Sequence, residues 1–581
     1  MEFVWQSGEG IAFEADCPVC ADSGPHRPVL VIPGAGPGQT DWTIVQCPSC
    51  ESRFSTDRRG ADYTPEAHPD GPLLEFYLEQ NAGIRPMLEP LGWAEAGPGR
   101  RMLEIGGGFG FASDFVQVSL GWTAKGYDPS GLAALGRSYL GLDIVLDYWT
   151  EETPLAEPFD VAYASEVIEH IPEPSGFLAS VRRAVGETGV AVLTTPNGAA
   201  LNPNTTPGIL APIATPGLHL TLFSAMGLER ALRSTGFRHV RVEERGDTLH
   251  ALASNAELPA KRQLDSQLYR NYLCQRADTP GLAPVLLSGL RYRLFKELVN
   301  AGESAAALTQ FVLIADDIRR RFGLDVSRSA ALRPLKDYGD AQEWLRHYPA
   351  HLAGLLYYRA ILANNLEADP VAAVRYTAAA ILAGRGLRLA LQNAGMDDGE
   401  TERLSAHAII LNLVATACAG GDTAPLLAAV ERGNPATGLL IPAEARRSLR
   451  RFLRRDLRAM GHPDMLWRVG MTNIVGDEVT LLAAPLCQDF VVDKIGAWEA
   501  IATASDAAAV LDTFRAIWCM PGADTAPASI RHARKLILIR LVQLGAFQEA
   551  DDLFDGWDSP DLADDEPVAT ALAIVAEARQ R

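Results

Sequence analysis

At 581 residues, with 48% apolar and 21% charged side chains, the chain has the composition of an ordinary soluble globular protein and a length prior of about four domains. Its 52 Lys and Arg stand against 72 Asp and Glu, a net charge of −20, which repels polyphosphate on average and excludes a broad nucleic-acid surface. The start, MEFVWQSGEGIAFEAD, carries neither a positive stretch nor an apolar run, and no uninterrupted apolar segment approaches about 18 residues. Both features predict a cytoplasmic protein that does not span a membrane.

Residues 1–60 hold four of the eight cysteines, as Cys17-Pro18-Val19-Cys20 and Cys47-Pro48-Ser49-Cys50, with 26 residues between the pairs. Two such pairs can offer four thiolates in a closed tetrahedron, which suits structural zinc; a redox dithiol pair and a metal-free turn are the other readings. The 26 intervening residues, which include a strand-like run at Val29 to Ile32, are longer than a common zinc ribbon needs and leave room for an extra hairpin in this zinc-ribbon-like segment. Residues 61–98 read as a helical lead-in: Leu73, Leu74, Phe76, Tyr77, Ile84, Met87 and Leu88 recur at helical spacing, with a break expected near Pro86.

From 99 to 258 strands and helices alternate. A strand over Met102 to Ile105 carries Glu104 and meets glycines at 106, 107, 108 and 110 before a helix that ends near Leu120. A second strand, Trp122 to Tyr127, delivers Asp128; a third, Leu142 to Leu146, ends in Asp147-Tyr148; a fourth, Phe159 to Ala164, runs into SEVIEHIP; a fifth, Val190 to Thr194, ends in TPN. Arg238 to Glu244 and Thr248 to Ala253 complete the set as a hairpin. This is a doubly wound α/β sheet, whose polar strand ends line the crevice where ligands bind. An acid after the second strand suits ribose hydroxyls, although a glycine-rich turn on its own can be no more than a tight connection.

Glu104-x-Gly106-x-Gly108-x-Gly110 resembles motif I of the class I methyltransferases that use S-adenosylmethionine. FDVAYASEVIEHIPEP, LTTPN and LHLTLFSAMGLERALRSTGF resemble the following blocks of the ubiquinone-biosynthesis and sugar-modifying members, so the likeness covers residues 100 to 245. It implies a Rossmann-like methyltransferase sheet. It also implies that Glu104 balances the methionine ammonium, that Gly106, Gly108 and Gly110 line the turn, that Asp128 accepts from the ribose, that Asp147 accepts from the adenine amino group, and that Tyr148 borders the adenine. A cysteine-knuckle extension ahead of this core resembles deoxysugar methyltransferases and a ribosomal-RNA guanine methyltransferase. Residues 1–100 hold six Arg and no Lys against fifteen Asp and Glu, a net of −9, the wrong sign for docking on RNA.

Methyl transfer to a hydroxyl benefits from a general base, and His170 and His219 are the candidates because both follow strand ends on the crevice side. His170 can equally cap or orient a SEVIEHIP helix and His219 can be a hydrogen-bonded core residue, while Glu166 and Glu169 read as solvated or structural. The expected reaction is methylation of a sugar or glycan hydroxyl, with a quinone-like phenol or other small acceptor, or a cofactor-binding scaffold with little turnover, as alternatives.

Residues 259–581 read as all helical. LVNAGESAAAL and LVQLGAFQEAD share a glycine followed five residues later by alanine, Gly302/Ala307 and Gly545/Ala550, and with LLYYRAILANNLEADPVAAVRYTAAA they resemble a degenerate tetratricopeptide-type array. In such an array the glycine allows close helix packing and the region serves as a platform for a protein partner; an irregular all-helical domain is the other reading. Cys274, Cys418, Cys487 and Cys519, alone in helical surroundings, read as buried packing residues.

Overall fold

The computed structural model describes residues 2–6, 12–64, 73–94, 97–205, 207–259, 263–332 and 335–418, and beyond these 472–475, 478–481, 504–511, 537–554, 570–571 and 573–576. In chain order the strands are β1 (Val4–Trp5), β2 (Arg27–Ile32), β3 (Trp42–Gln46), β4 (Arg53–Ser55), β5 (Arg101–Ile105), β6 (Thr123–Tyr127), β7 (Ile144–Val145), β8 (Val161–Ser165), β9 (Val190–Pro196), β10 (Thr221–Leu222), β11 (His239–Arg245) and β12 (Thr248–Ser254). The helices that matter for the site are α1 (Leu74–Phe76), which continues as a wider turn over Tyr77–Asn81, then α2 (Ile84–Leu88), α3 (Phe111–Phe115), α4 (Gly131–Leu140), α5 (Pro174–Val185), α6 (Pro207–Ala214) and α7 (Ala225–Ser234).

The larger sheet runs β11-β12-β9-β8-β5-β6-β7, parallel except for the β11/β12 hairpin and its junction with β9. Central strands are apolar on both faces, and all seven residues of β9 are buried, as a sheet covered on two sides requires. β11, at the edge, is charged along Arg241, Glu243, Glu244 and Arg245, which discourages a further strand from adding there. Amphipathic α5 buries Phe177, Leu178, Val181, Ala184 and Val185 at helical spacing. Chain order reverses between β5 and β8: β5 pairs with β6 on one side and with β8 on the other. At such a reversal the connections leave in opposite directions and open a crevice beyond the carboxyl ends of the strands.

The second sheet, β1-β2-β3-β4-β10, is completed by a strand from the middle of the chain, with Phe54 opposite Thr221 and Arg53 opposite Leu222. The 26-residue insert between the cysteine pairs does carry a hairpin, β2 and β3. Leu30, Ile32, Trp42 and Ile44 share an apolar cluster with Leu210, Ile213, Leu220 and Leu222. Cys17, Val19, Val45, Cys47, Cys50 and Phe54 share another with Leu103, Ile168, Leu193 and Leu228. The cysteine-bearing segment therefore shares its core with the larger sheet.

The lead-in helix breaks at Ala82 and Gly83, three to four residues before Pro86, which sits at the third position of α2 where a missing N–H costs no helical bond.

Beyond the sheet lie α8 (Ser266–Ala277), α9 (Pro284–Asn300), α10 (Ser304–Phe322), α11 (Ala341–His347), α12 (Leu352–Asn365), α13 (Pro370–Asn393) and α14 (Gly399–Cys418). The chain divides into one compact unit of residues 1–368 with 375–405 and a second of 369–374 with 406–581. Helices α8 to α12, which follow the switch of pattern near Leu258, belong to the same compact unit as both sheets. In the second unit, Val510, Ile537, Leu538, Leu541, Ala550, Ala571 and Val575 form an apolar cluster.

The two glycine turns are alike. Gly302 N–H donates to Val299 O (3.1 Å) and Glu303 N–H to Leu298 O (2.9 Å), while Gly545 N–H donates to Val542 O (3.0 Å) and Ala546 N–H to Leu541 O (2.9 Å). Both glycines have positive φ, 76° and 71°, and a Cβ on either would meet nothing. The left-handed helix cap, and not the expected close packing, calls for glycine here. Ala307 and Ala550 are fully buried. Cys274, read as a packing residue, is exposed on α8; the Cys418 side chain, Cys487 and Cys519 lie outside the described residues. Among the described residues no helix is long and apolar enough to cross a membrane.

Candidate functional site

The turn after β5 folds as it does because Gly106, Gly108 and Gly110 all take positive φ (65°, 52° and 81°), a region that side chains avoid. At Gly106 a Cβ would also press to 2.6 Å on Val167. Asp128, delivered by β6 and only 7% exposed, ties this turn to the next one: Oδ2 accepts from Gly108 N–H (2.7 Å) and Oδ1 from Ser130 N–H (2.8 Å). Below the turn, Glu104 Oε2 accepts from Ser113 N–H at 3.0 Å, while the equally buried Oε1 has no partner. Burial pushes the Glu104 carboxyl up to about 7, against the pull of the Ser113 hydrogen bonds.

At the reversal of strand order a cleft of about 470 Å³ opens, within the usual range for small-molecule sites. One wall consists of Gly106, Gly108, Tyr127, Asp128, Ser130, Leu132, Tyr148 and Trp149. The other consists of Tyr63, Glu166, Val167, His170, Ile171, Pro172 and Phe177. The cleft thus brings together Gly106, Gly108, Asp128, Tyr148 and His170 of the expected residues. Gly110 caps α3, and Glu104 lies beneath the turn. Asp147 is exposed and holds its own neighbour through Tyr148 N–H (2.7 Å), outside the lining. His219 stands behind His170, with ring centroids 4.7 Å apart, also outside the lining.

SEVIEHIP is a strand end followed by a three-residue turn, Ile168–His170, so His170 caps no longer helix. His170 Nδ1 lies 2.7 Å from the Tyr63 hydroxyl and 3.1 Å from Leu218 O, and its Nε2 lies 3.8 Å from Glu169 Oε1. His219 Nδ1 lies 2.8 Å from Ile213 O. Burial lowers both imidazoles, to about 4 and about 3, so both are neutral near pH 7. Buried Glu169 accepts from Thr195 Oγ1 (2.9 Å) and its carboxyl rises well above the ordinary range, chiefly through burial and then through Glu166. Glu169, His170 and His219 place one ligand atom each within 4.8 Å of one another, a set that can relay a proton or take a divalent cation.

Glu166, expected to be solvated or structural, lines the cleft with a left-handed backbone (φ 56°) and accepts from Thr194 Oγ1 at 2.9 Å. Such a conformation in a non-glycine residue costs on the order of 1–3 kcal/mol and needs surroundings that enforce it. Desolvation by the surrounding protein raises its carboxyl against the pull of the Thr194 hydrogen bond, although the side chain stays open to the cleft. Tyr63 was not foreseen, since no local pattern marks a tyrosine in an irregular segment as facing a histidine 107 residues later. Arg58 sets its place: this half-buried guanidinium donates to Thr221 Oγ1 (2.9 Å) and Pro172 O (2.6 Å), and pins residues 57–63 along the cleft.

The cysteines converge apart from the cleft. Sγ separations are 3.7 Å for Cys17/Cys50 and 3.7 Å for Cys20/Cys47, and all four atoms lie within 4.8 Å. Four thiolates about 2.3 Å from a tetrahedral zinc ion would sit about 3.8 Å apart, so the donor set and its spacing fit that metal. The two knuckles match: Ala21 N–H donates to Cys17 O (2.9 Å) and Glu51 N–H to Cys47 O (3.0 Å), with Ala21 and Glu51 both left-handed (58° and 60°).

Residues 78–242 match a family model described as a methyltransferase domain. The chain is 35% identical over 106 residues to a ubiquinone biosynthesis O-methyltransferase of Caulobacter sp. (strain K31), covering 17% of this chain and 42% of that one. It is 33% identical over 139 residues to the enzyme of the same description from Paraburkholderia phymatum, covering 22% and 60%. It therefore spans 42% to 60% of these relatives' own length. Among solved structures, a methyltransferase from Aquifex aeolicus aligns at 19% identity over 32% of this chain and 97% of that chain, with a TM-score of 0.25. A glycopeptide N-methyltransferase solved with S-adenosyl-L-methionine aligns at 17% identity over 30% and 94%, with a TM-score of 0.24.

Proposed function

We propose that this chain, whose residues 78–242 match a methyltransferase domain, transfers a methyl group from S-adenosylmethionine to a hydroxyl of a small acceptor. The observation that carries the reading is the cleft at the strand reversal, with the glycine turn and Asp128 on one wall and His170 on the other. The residues present fit the cofactor. The orphaned Glu104 Oε1 lies under the turn as a counter-charge for an ammonium group, and Asp128 offers a carboxylate where a ribose would lie. S-adenosylmethionine, when bound, supplies an electrophilic methyl on a sulfonium centre.

The chain's own residues then position the acceptor, exclude water and move one proton. Tyr63, Ile171, Pro172 and Phe177 make the acceptor wall aromatic and apolar, with few groups to satisfy the many hydroxyls of a glycan. A phenol-like acceptor fits this wall better than the sugar expected from the knuckle resemblance. As the acceptor oxygen attacks, its proton passes to neutral His170, directly or through the Tyr63 hydroxyl beside it.

His170→Ala should lower kcat with a simple catechol acceptor by about 10²–10⁴-fold and leave calorimetric affinity for S-adenosylmethionine within twofold. Equal loss of both would assign His170 to holding the fold. A wild-type rate abolished by a chelator and restored by a divalent cation would move the Glu169, His170 and His219 set from proton relay to metal ligation. Because His170 titrates near 4, it should place no inflection in the rate profile between pH 6 and 8.

Glu104 gives a second pH signature. Its folded-state value of about 7 stands above the ordinary 4.5, so the protonated carboxyl favours the unliganded fold. That contribution is full below about pH 4.5 and is lost as pH rises through 7. Pairing with an ammonium needs the ionised form, so S-adenosylmethionine should bind about tenfold more tightly at pH 8 than at pH 6. Glu104→Gln should flatten the dependence, and an unchanged slope in that variant would remove Glu104 from cofactor binding.

A further inference from the structure

The turn Tyr77–Asn81 ends with carbonyls that no helical N–H can reach. Three of them, those of Leu78, Glu79 and Gln80, point at one side chain together with the Ala82 carbonyl just beyond, which also accepts from Ile84 N–H (2.7 Å). Arg293, on α9 and only 7% exposed, donates from Nη1 to Leu78 O (2.8 Å) and Glu79 O (3.3 Å), and from Nη2 to Gln80 O (2.9 Å) and Ala82 O (2.8 Å). A planar fork with a delocalised positive charge suits this negative end of the turn, where an ammonium could not span all four acceptors. One helical turn earlier, Gly289 leaves no room for a side chain against Leu78 O, so the backbones of α9 and the lead-in meet directly. Glu79 adds a second tie: its Oε1 forms an ion pair with Arg321 Nη1 (2.9 Å) and its Oε2 accepts from Ala350 N–H (2.8 Å).

At its other end this lead-in faces the glycine turn. The Tyr77 hydroxyl lies 3.7 Å from where a Cβ on Gly108 would be. The far flank of the same turn is α3, which Gly110 caps and on which Asp114 is fully buried. Asp114 accepts from the Tyr272 hydroxyl (2.7 Å) and from Arg276 Nε (2.8 Å) and Nη2, both residues being on α8. Two segments that flank the turn are therefore gripped by two neighbouring helices that follow the sheet, and none of Tyr272, Arg276 and Arg293 lines the cleft.

We infer that α8 and α9 form a clamp on the glycine turn, in which Arg276 and Arg293 are positioning residues that set affinity for the amino-acid end of the cofactor. This inference rests on the proposed function, since the turn receives the methionine part only if S-adenosylmethionine is the ligand.

The test is calorimetric titration of the full chain with S-adenosylmethionine and with 5′-methylthioadenosine, which keeps the adenosine part and lacks the amino acid. In Arg276→Ala and Arg293→Ala the dissociation constant for S-adenosylmethionine should rise tenfold or more, and that for methylthioadenosine should change less than twofold. Arg293→Lys should not restore affinity. If Arg293→Ala does not fold, Arg276→Ala and the milder Tyr272→Phe, for which a twofold to fivefold loss is expected, decide the matter. Unchanged affinity for S-adenosylmethionine in folded variants overturns the clamp, and so does equal weakening of both ligands, which would mean general loosening. Wild-type protein that binds neither ligand overturns the cofactor reading itself, and the inference with it.

Discussion

Replacing Asp128 with alanine is expected to weaken S-adenosylmethionine binding by tenfold to a hundredfold, about 1.5–3 kcal/mol for lost charge-assisted hydrogen bonds to a ribose. The upper end is the better guide here. Asp128 also holds Gly108 N–H at 2.7 Å and Ser130 N–H at 2.8 Å, so the variant leaves two backbone donors at the turn without their acceptor. Asp128→Asn keeps an acceptor oxygen but loses the charge and should fall between wild type and alanine. Titration calorimetry on the three proteins decides the assignment, and an Asp128→Ala protein that binds as tightly as wild type would be incompatible with a ribose at this carboxylate.

The second large effect is expected at the knuckles. Elemental analysis should find one zinc per chain, and Cys47→Ser should be metal-free. Structural zinc sites contribute on the order of 10 kcal/mol to folding in isolated peptides, and Cys17, Cys47 and Cys50 share an apolar cluster with the larger sheet. The variant should therefore lose several degrees of thermal stability and become sensitive to protease within residues 12–60. Acceptor turnover should suffer more than cofactor affinity, because Tyr63 and Arg58 extend from the β4 side whereas the glycine turn and Asp128 rest on β5 and β6. A metal-free wild-type protein with an ordered second sheet would refute the four-thiolate site.

The turn from Glu104 to Gly110, Asp128 and the succession of strands along the chain were legible in the sequence because each rests on chemistry within a few residues: an acid, glycines that admit positive φ, and apolar runs of strand length. His170 was legible for the same reason, as a polar residue just past a strand end. Tyr63 and Glu166 were not. Tyr63 reaches His170 only because Arg58 fastens its segment to carbonyls more than a hundred residues away, and the left-handed backbone of Glu166 leaves no mark in composition. The first compact unit runs past the expected boundary at Leu258 for a related reason. A change from alternating strands and helices to helices alone records local periodicity, whereas membership of a compact unit depends on partners such as Asp114 for Arg276 and the Leu78 to Ala82 carbonyls for Arg293.

The pairing of β4 with β10 has a consequence for how the chain is made. Phe54 finds its partner only when Thr221 has been synthesised, so during translation the first four strands can form with the outer side of β4 unpaired as well as the β1 edge. An open edge with unpaired N–H and C=O groups is a template for the wrong neighbour, and a ribosome adding about 5–20 residues per second leaves that edge waiting for many seconds. All four cysteines emerge before β5, so metal capture can fix the knuckles early, but it cannot close the sheet. The growing chain therefore passes through an interval in which its N-terminal part still lacks its last strand, the stage at which a chaperone or a second nascent chain would have most to bind.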